Sequence, residues 1–308
     1  MLKRTKVLLM SALAIALFAI ASSQGAALAQ QGELTGEWKA SLDAEKPEKI
    51  HLSFERRNER GGRQQMGSDY EFSDLTGLSR AQAQSGGAAR FTLAREAGTI
   101  ECEGSFQNGK GSGTFRFTPS QSFVSAMRSR GFDFEKESNW SDDVRDRVNR
   151  LFAATTLNVT TALADDLLSA DFGKLEVEDL FKAAIFKVDS KFMREMKATG
   201  FPGLGMEELV KARIFKIDAE FVKQAAQMGF ERESFEDLVK MRIFKVTPQF
   251  VAEVRGEGLT ELALEDMVKL KIFNIDADFI RRARADGVPL EVEELVQRRI
   301  GVPRRRRP

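Results

Sequence analysis

A five-residue phrase repeats through the second half of the chain, and it limits what the chain can fold into. Ile185-Phe186-Lys187-Val188-Asp189 recurs as Ile214-Phe215-Lys216-Ile217-Asp218, as Ile243-Phe244-Lys245-Val246-Thr247 and as Ile272-Phe273-Asn274-Ile275-Asp276, a period of 29 residues. A shortened copy reaches Ile300, 28 residues further on. The register also runs backward. Leu157-Asn158-Val159-Thr160 is the preceding copy, and Phe117-Thr118-Pro119 opens an irregular one with Phe123, Met127, Gly131-Phe132 and an insertion up to about Val144. Units this short cannot bury a hydrophobic face alone, so a fixed period predicts stacked neighbours in a solenoid-like array.

Each unit predicts two helices. Asp189, Asp218, Thr247 and Asp276 stand at N-cap positions, where a side-chain oxygen accepts a free backbone N–H. The first helix is apolar at Phe192, Met193 and Met196, and the same slots hold Phe221, Val222 and Ala225, then Phe250, Val251 and Val254. Gly200, Gly229 and Gly258 end it. The second helix opens on acids (Glu207-Glu208, Glu236-Asp237, Glu265-Asp266, Glu293-Glu294) and closes on bases (Arg213, Arg242, Lys271, Arg299), which complements its dipole. Glu207 to Lys211, Glu236 to Lys240 and Glu265 to Lys269 are spaced for ion pairs one turn apart, each worth about 0.2–0.5 kcal/mol. These carboxylates thus have a structural explanation and need no role in acid–base catalysis. Of the 24 Phe, many fall in two repeating rows, Phe186, Phe215, Phe244, Phe273 and Phe192, Phe221, Phe250, Phe279. Both rows are expected in the buried seam, where a Tyr hydroxyl would need a partner in every copy.

Residues 34–117 read differently. Trp38, Ala40 and Leu42 alternate with polar neighbours, as do Ile50, Leu52, Phe54, then Phe91, Leu93, then Ile100, Cys102, Phe106 and finally Phe115, Phe117. That period of two predicts half-buried antiparallel strands, five or six in number. Asn108-Gly109 supplies a tight hairpin turn, which also explains Gly109-Lys110-Gly111-Ser112-Gly113 without a phosphate loop. Arg56 to Ala88 is polar and is expected to form a loop with a packed segment around Leu75 and Leu78. The fold class is therefore α+β: a small antiparallel β domain at 30–117, a helical repeat array at 118–303 and a basic tail at 304–308.

Lys3, Arg4 and Lys6 precede an apolar run from Val7 to about Ala21, and Ala27-Leu28-Ala29 follows. These are the parts of a secretory signal at 1–29 with cleavage before Gln30; an uncleaved N-terminal anchor is the alternative. Removal leaves 44 basic against 46 acidic residues in a periplasmic or extracellular chain without an integral membrane span. The near-neutral balance gives no case for a nucleic-acid partner. With one Cys and one His, HExxH zinc chemistry and thiolate clusters are excluded, and no cofactor is expected. A Cys102–His51 dyad is contradicted by parity, since Cys102 falls on the apolar face and His51 on the polar one.

The β segment running through Gly111-Ser112-Gly113-Thr114-Phe115 into Phe117-Thr118-Pro119, followed by units such as Val246-Thr247-Pro248-Gln249-Phe250-Val251, resembles a known arrangement. It is similar to the extracytoplasmic tails of some membrane zinc peptidases of the beta-lactam-sensor (antirepressor) family, over roughly Leu34 to Val302. The peptidase portion has no counterpart here. The resemblance therefore implies a sensor-like or partner-binding module and carries over no catalytic residue.

Function is accordingly expected to be non-enzymatic: an exported protein whose repeat surface binds another envelope protein. The candidate contact residues are Lys187, Lys216 and Lys245 in one row and Arg213, Arg242 and Lys271 in another. A solvated, dipole-complementing face is the competing explanation of both rows. Arg304, Arg305, Arg306 and Arg307 are candidates for weak contact with anionic surfaces. The alternative function is binding of a small apolar ligand in the β domain or in its groove against the repeats.

Overall fold

In the computed structural model the described residues are 34–57, 63–136, 147–201, 203–231 and 233–301. The expected signal segment, Trp140 and the arginines of the tail lie outside them. The chain has an α+β fold of two compact units, one comprising residues up to 165 with 175–181, the other 166–174 with 182 onward.

The first unit is built on a curled antiparallel sheet. Its strands are β1 (Leu34–Leu42), β2 (Lys49–Arg57), β3 (Arg63–Glu71), β4 (Leu75–Thr76), β5 (Gly87–Arg95), β6 (Gly98–Gln107) and β7 (Lys110–Pro119), in the order β3-β2-β1-β7-β6-β5-β4. First and last strands are therefore neighbours in the middle, with Trp38 opposite Phe54 on one side and Gly113 on the other. Asn108 and Gly109 both take positive φ between Gln107 and Lys110, as a two-residue hairpin turn requires.

One expectation needs correcting. The polar stretch 56–88 holds the nine-residue edge strand β3, then β4 and a helix, α1 (Arg80–Ser85). β3 buries only Tyr70, so its composition carries no alternation for the eye to find. Its backbone pairing with β2 makes it a strand nonetheless.

The apolar face of the sheet is covered by its own chain. After α2 (Gln121–Arg128) comes α3 (Arg147–Thr156), in which Arg150 through Thr156 are all buried. The Phe152 ring stacks on Phe115 at 5.3 Å and meets Phe54 and Phe117 edge-on at 5.7 and 5.3 Å. Tyr70, on the edge strand, donates its hydroxyl to the Thr156 carbonyl at 3.2 Å, so α3 is held from β3 as well as from the middle of the sheet. Further along, Gly111 leaves room for the Phe106 ring; a Cβ there would lie 2.5 Å from it. The sheet ends at Pro119, close to the boundary expected at 117, but the compact unit continues through these helices.

The second unit is the repeat array. The chain reaches it through α4 (Thr161–Leu168) and α5 (Val177–Phe186). First helices are α6 (Ser190–Lys197), α8 (Ala219–Gln227), α10 (Pro248–Gly256) and α12 (Ala277–Ala285); second helices are α7 (Met206–Phe215), α9 (Phe235–Ile243), α11 (Leu264–Ile272) and α13 (Val292–Ile300). All four expected caps form: Asp189, Asp218, Thr247 and Asp276 accept from the N–H of Phe192, Phe221, Phe250 and Phe279 at 2.7–3.2 Å. α7 packs on α9, α9 on α11 and α11 on α13, so second helices stack side by side. The seam is chiefly aliphatic, with Leu209, Leu238, Met267, Leu295, Val188, Ile217, Val246 and Ile275 at 2% exposure or less. Phe192, Phe221 and Phe250 join it, each worth roughly 1.5–3 kcal/mol when covered. Phe186, Phe215, Phe244 and Phe273 are only half-buried, against the expectation for that row.

Candidate interaction surface

The C-terminal ends of α5, α7, α9 and α11 are where the sequence concentrates cations, and the four close in the same way. Val188, Ile217, Val246 and Ile275 donate their N–H groups back to the carbonyls of Ala183, Ala212, Met241 and Leu270 at 2.8–3.1 Å. This Schellman closure forces the residue before each donor into the left-handed region. Lys187, Lys216, Lys245 and Asn274 take φ of 58, 55, 54 and 50°. First helices end in the same hand on glycine, at Gly200, Gly229, Gly258 and Gly287. A side chain other than glycine costs about 1 kcal/mol there. The three lysines are exposed, and among the described residues none of them forms an ion pair.

The second candidate row has a different environment. Taking 100° per residue from Leu209, Arg213 falls at about 40°, inside the buried stripe of its helix, where an apolar residue would be expected. Arg213, Arg242 and Lys271 lie over the rings of Phe192, Phe221 and Phe250, at 3.8, 3.6 and 4.3 Å from their centroids, and Arg299 lies over Phe279 at 5.2 Å. Arg242 also donates to the Lys216 carbonyl at 2.6 Å, and Arg299 to that of Phe273 at 2.9 Å, capping the preceding second helix. Burial lowers the pKa of the Arg242 guanidinium. These cations are therefore engaged in holding neighbouring helices together.

Another row of cations also spans repeats. Lys182, Lys211 and Lys269 pair with Glu207, Glu236 and Glu293 of the following unit at 2.5, 2.5 and 2.6 Å. Lys240 takes Asp237 in its own helix. The expected pairs one turn apart, from Glu207 to Lys211 and its equivalents, give way because stacked helices bring the next unit's carboxylate as close. These pairs are solvent-facing, so each contributes little beyond about 1 kcal/mol.

Sequence reasoning passed over the isoleucines. Ile185, Ile214, Ile243, Ile272 and Ile300 are 43–56% exposed, and with Leu168 they are the large hydrophobic side chains left open among the described residues. Their signal was available: Ile214 lies about 140° from Leu209 on the helix, off the stripe that the repeat buries. With α7, α9, α11 and α13 side by side, Ile214, Ile243, Ile272 and Ile300 form an apolar row, and Ile185 holds the same place at the end of α5. The lysine row runs two residues beyond it. Lys245 and Lys271 meet in a groove of about 480 Å³ between successive units, floored by Phe244, Phe250 and Leu270 and flanked by Glu253 and Asp276.

The two nucleophile candidates of the first unit stand apart. His51 lies on the outer face of β2 with Nδ1 3.0 Å from Asp69, while Cys102 is buried on the opposite face and burial pushes its thiol pKa up. Strands β1, β5, β6 and β7 carry an open groove of about 600 Å³ edged by Glu37, Glu101, Glu103, Arg90 and Arg116, with Phe91, Cys102 and Phe115 also in its lining. Among the described residues no three His, Cys, Asp or Glu side chains are placed to share a metal ion, and no helix is long and apolar enough to cross a membrane. No model of a known protein family matches the chain, and no curated protein matches it either.

Proposed function

We propose that this chain is an exported, non-enzymatic binding protein of the bacterial envelope that grips another envelope protein with the second-helix face of its repeats. The observation that carries this reading is the isoleucine row: five large apolar side chains kept in water at the same position of five successive copies. Single exposed isoleucines need no explanation, whereas an aligned series of them is the kind of surface that marks an interaction site. Export rests on the N-terminal basic, apolar and Ala27-Leu28-Ala29 segments. A sensor-like role agrees with the resemblance drawn from the sequence. Binding of an apolar ligand is the weaker reading, because α3 occupies the apolar face of the sheet and five charged side chains edge the open groove.

Photocrosslinking in cells tests it. A benzoylphenylalanine placed at Ile214 or Ile243 should capture a discrete envelope protein, and one at Thr92 on the sheet should not. Replacing Lys187, Lys216 and Lys245 by Ala should lower capture without changing the helical circular dichroism. Absence of any crosslink from both isoleucine positions would overturn the proposal.

A further inference from the structure

We infer that the partner presents an acidic amphipathic α-helix, with an apolar residue at about every seventh position, laid along the isoleucine row. The inference rests on the binding role proposed above and names the chemistry of its partner. Packed helices lie about 8–10 Å apart, so the stack offers one isoleucine per interval of that size. A β-strand advances about 3.3 Å per residue and alternates faces, so three residues cover the interval but present the wrong side. An α-helix advances about 10.5 Å in seven residues and returns to nearly the same face. Polyproline II also repeats its face, about every 9.3 Å in three residues, but it has no internal hydrogen bonds, so its N–H and C=O groups would lose water against an apolar row without gaining partners. An α-helix satisfies its own backbone and is therefore the segment that suits successive isoleucines.

Charge then selects its sequence. On one flank of the row the lysines are already satisfied, Lys182 by Glu207, Lys211 by Glu236 and Lys269 by Glu293. On the other flank Lys187, Lys216 and Lys245 have no ionic partner among the described residues, and the fourth copy has Asn274. Acidic residues along one edge of the incoming helix would find three cations, one per unit, and then none. Charge also weighs against other occupants. A bilayer would strip water from the Lys–Glu pairs beside the isoleucines, and a second copy related by a two-fold axis across the row would bring lysine row toward lysine row.

The test uses a four-heptad peptide with Leu at every seventh position and Glu on one flank. Its controls are a peptide of the same composition and helicity with Leu out of register, and a Glu→Lys version. Binding to the full chain is read by fluorescence anisotropy. The in-register peptide should bind about tenfold or more tightly than the out-of-register one. I214S/I243S/I272S should remove that difference, and K187A/K216A/K245A should weaken binding severalfold and flatten its salt dependence. Equal binding of the two acidic peptides overturns the inference, as does undiminished binding by the isoleucine variant. Stronger isoleucine-dependent binding to phosphatidylglycerol vesicles, or a concentration-dependent dimer abolished by I214S/I243S/I272S, overturns it in favour of a membrane or a second copy. Cellular crosslinks at Ile214 together with indifferent peptides would sink the helical partner and leave the binding face standing; absent crosslinks would remove both.

Discussion

The sheet unit and the repeat unit treat their apolar residues in opposite ways. On the sheet, side chains of one parity all face inward, and a helix from far along the chain covers them: Phe152 meets Phe54, Phe115 and Phe117. In the repeats, two apolar positions at the end of each second helix fall off the buried stripe. One is half-covered, the phenylalanine, and the other, the isoleucine, stays in water. Cations behave in the reverse sense: Arg213 and Arg242 stand at the angle of the buried stripe and lie over phenyl rings, although Arg242 itself stays exposed. Hydrophobicity alone therefore explains the first unit and leaves a remainder in the second. That remainder is where binding is proposed.

The largest effect should come from the covered face. Phe152→Ala removes a ring packed against three others and should cost about 3–5 kcal/mol in urea unfolding of the sheet unit. A loss below about 1 kcal/mol would mean that α3 does not close the face, and the contrast between the units would fail. By comparison, I214S should change stability by no more than about 0.5 kcal/mol, as an exposed substitution does.

A middle-sized effect should appear at the left-handed lysines. Lys216→Gly relieves the side-chain penalty at φ 55° and loses part of the gain to backbone entropy. The net should be a stabilisation of up to about 0.5 kcal/mol together with weaker partner capture. Such a trade is expected where a residue is retained for binding. Destabilisation on this change would return Lys216 to a purely structural role.

The smallest effect concerns a carboxylate. Burial, reinforced by Asp237 and Glu265, raises the pKa of Glu233 above its ordinary value. An acid whose folded pKa is raised binds its proton more readily in the native state, so its ionisation lowers stability as pH climbs through the unfolded value and on past the folded one. Glu233→Gln should therefore stabilise the array slightly at pH 7, and the gain should vanish below about pH 4. An advantage independent of pH would show that ionisation of Glu233 is not what matters.

Much of this surface was legible in order but not in environment. The caps at Asp189 and Asp218 and the 29-residue period depend on groups a few residues apart, and they stand as read. Lys187, Lys216 and Lys245 were identifiable as a row, yet not as left-handed residues. Arg213, Arg242 and Lys271 were identifiable as well, yet they lie over rings of the preceding helix. β3 escaped notice because an edge strand with polar residues on both faces has no alternation to display.

By itself, then, the sequence determined where helices start and stop, which residues share a strand face and how often the unit recurs. All of these are set by hydrogen bonds and periodicities that operate within a few residues. Tertiary structure decided which apolar residues are covered, which Glu each Lys takes and which strands stand at the edge. Those outcomes depend on neighbours brought close by packing. Lys211 reaches Glu236 because two helices stack, and Ile214 stays in water because its angle on the helix points away from that contact.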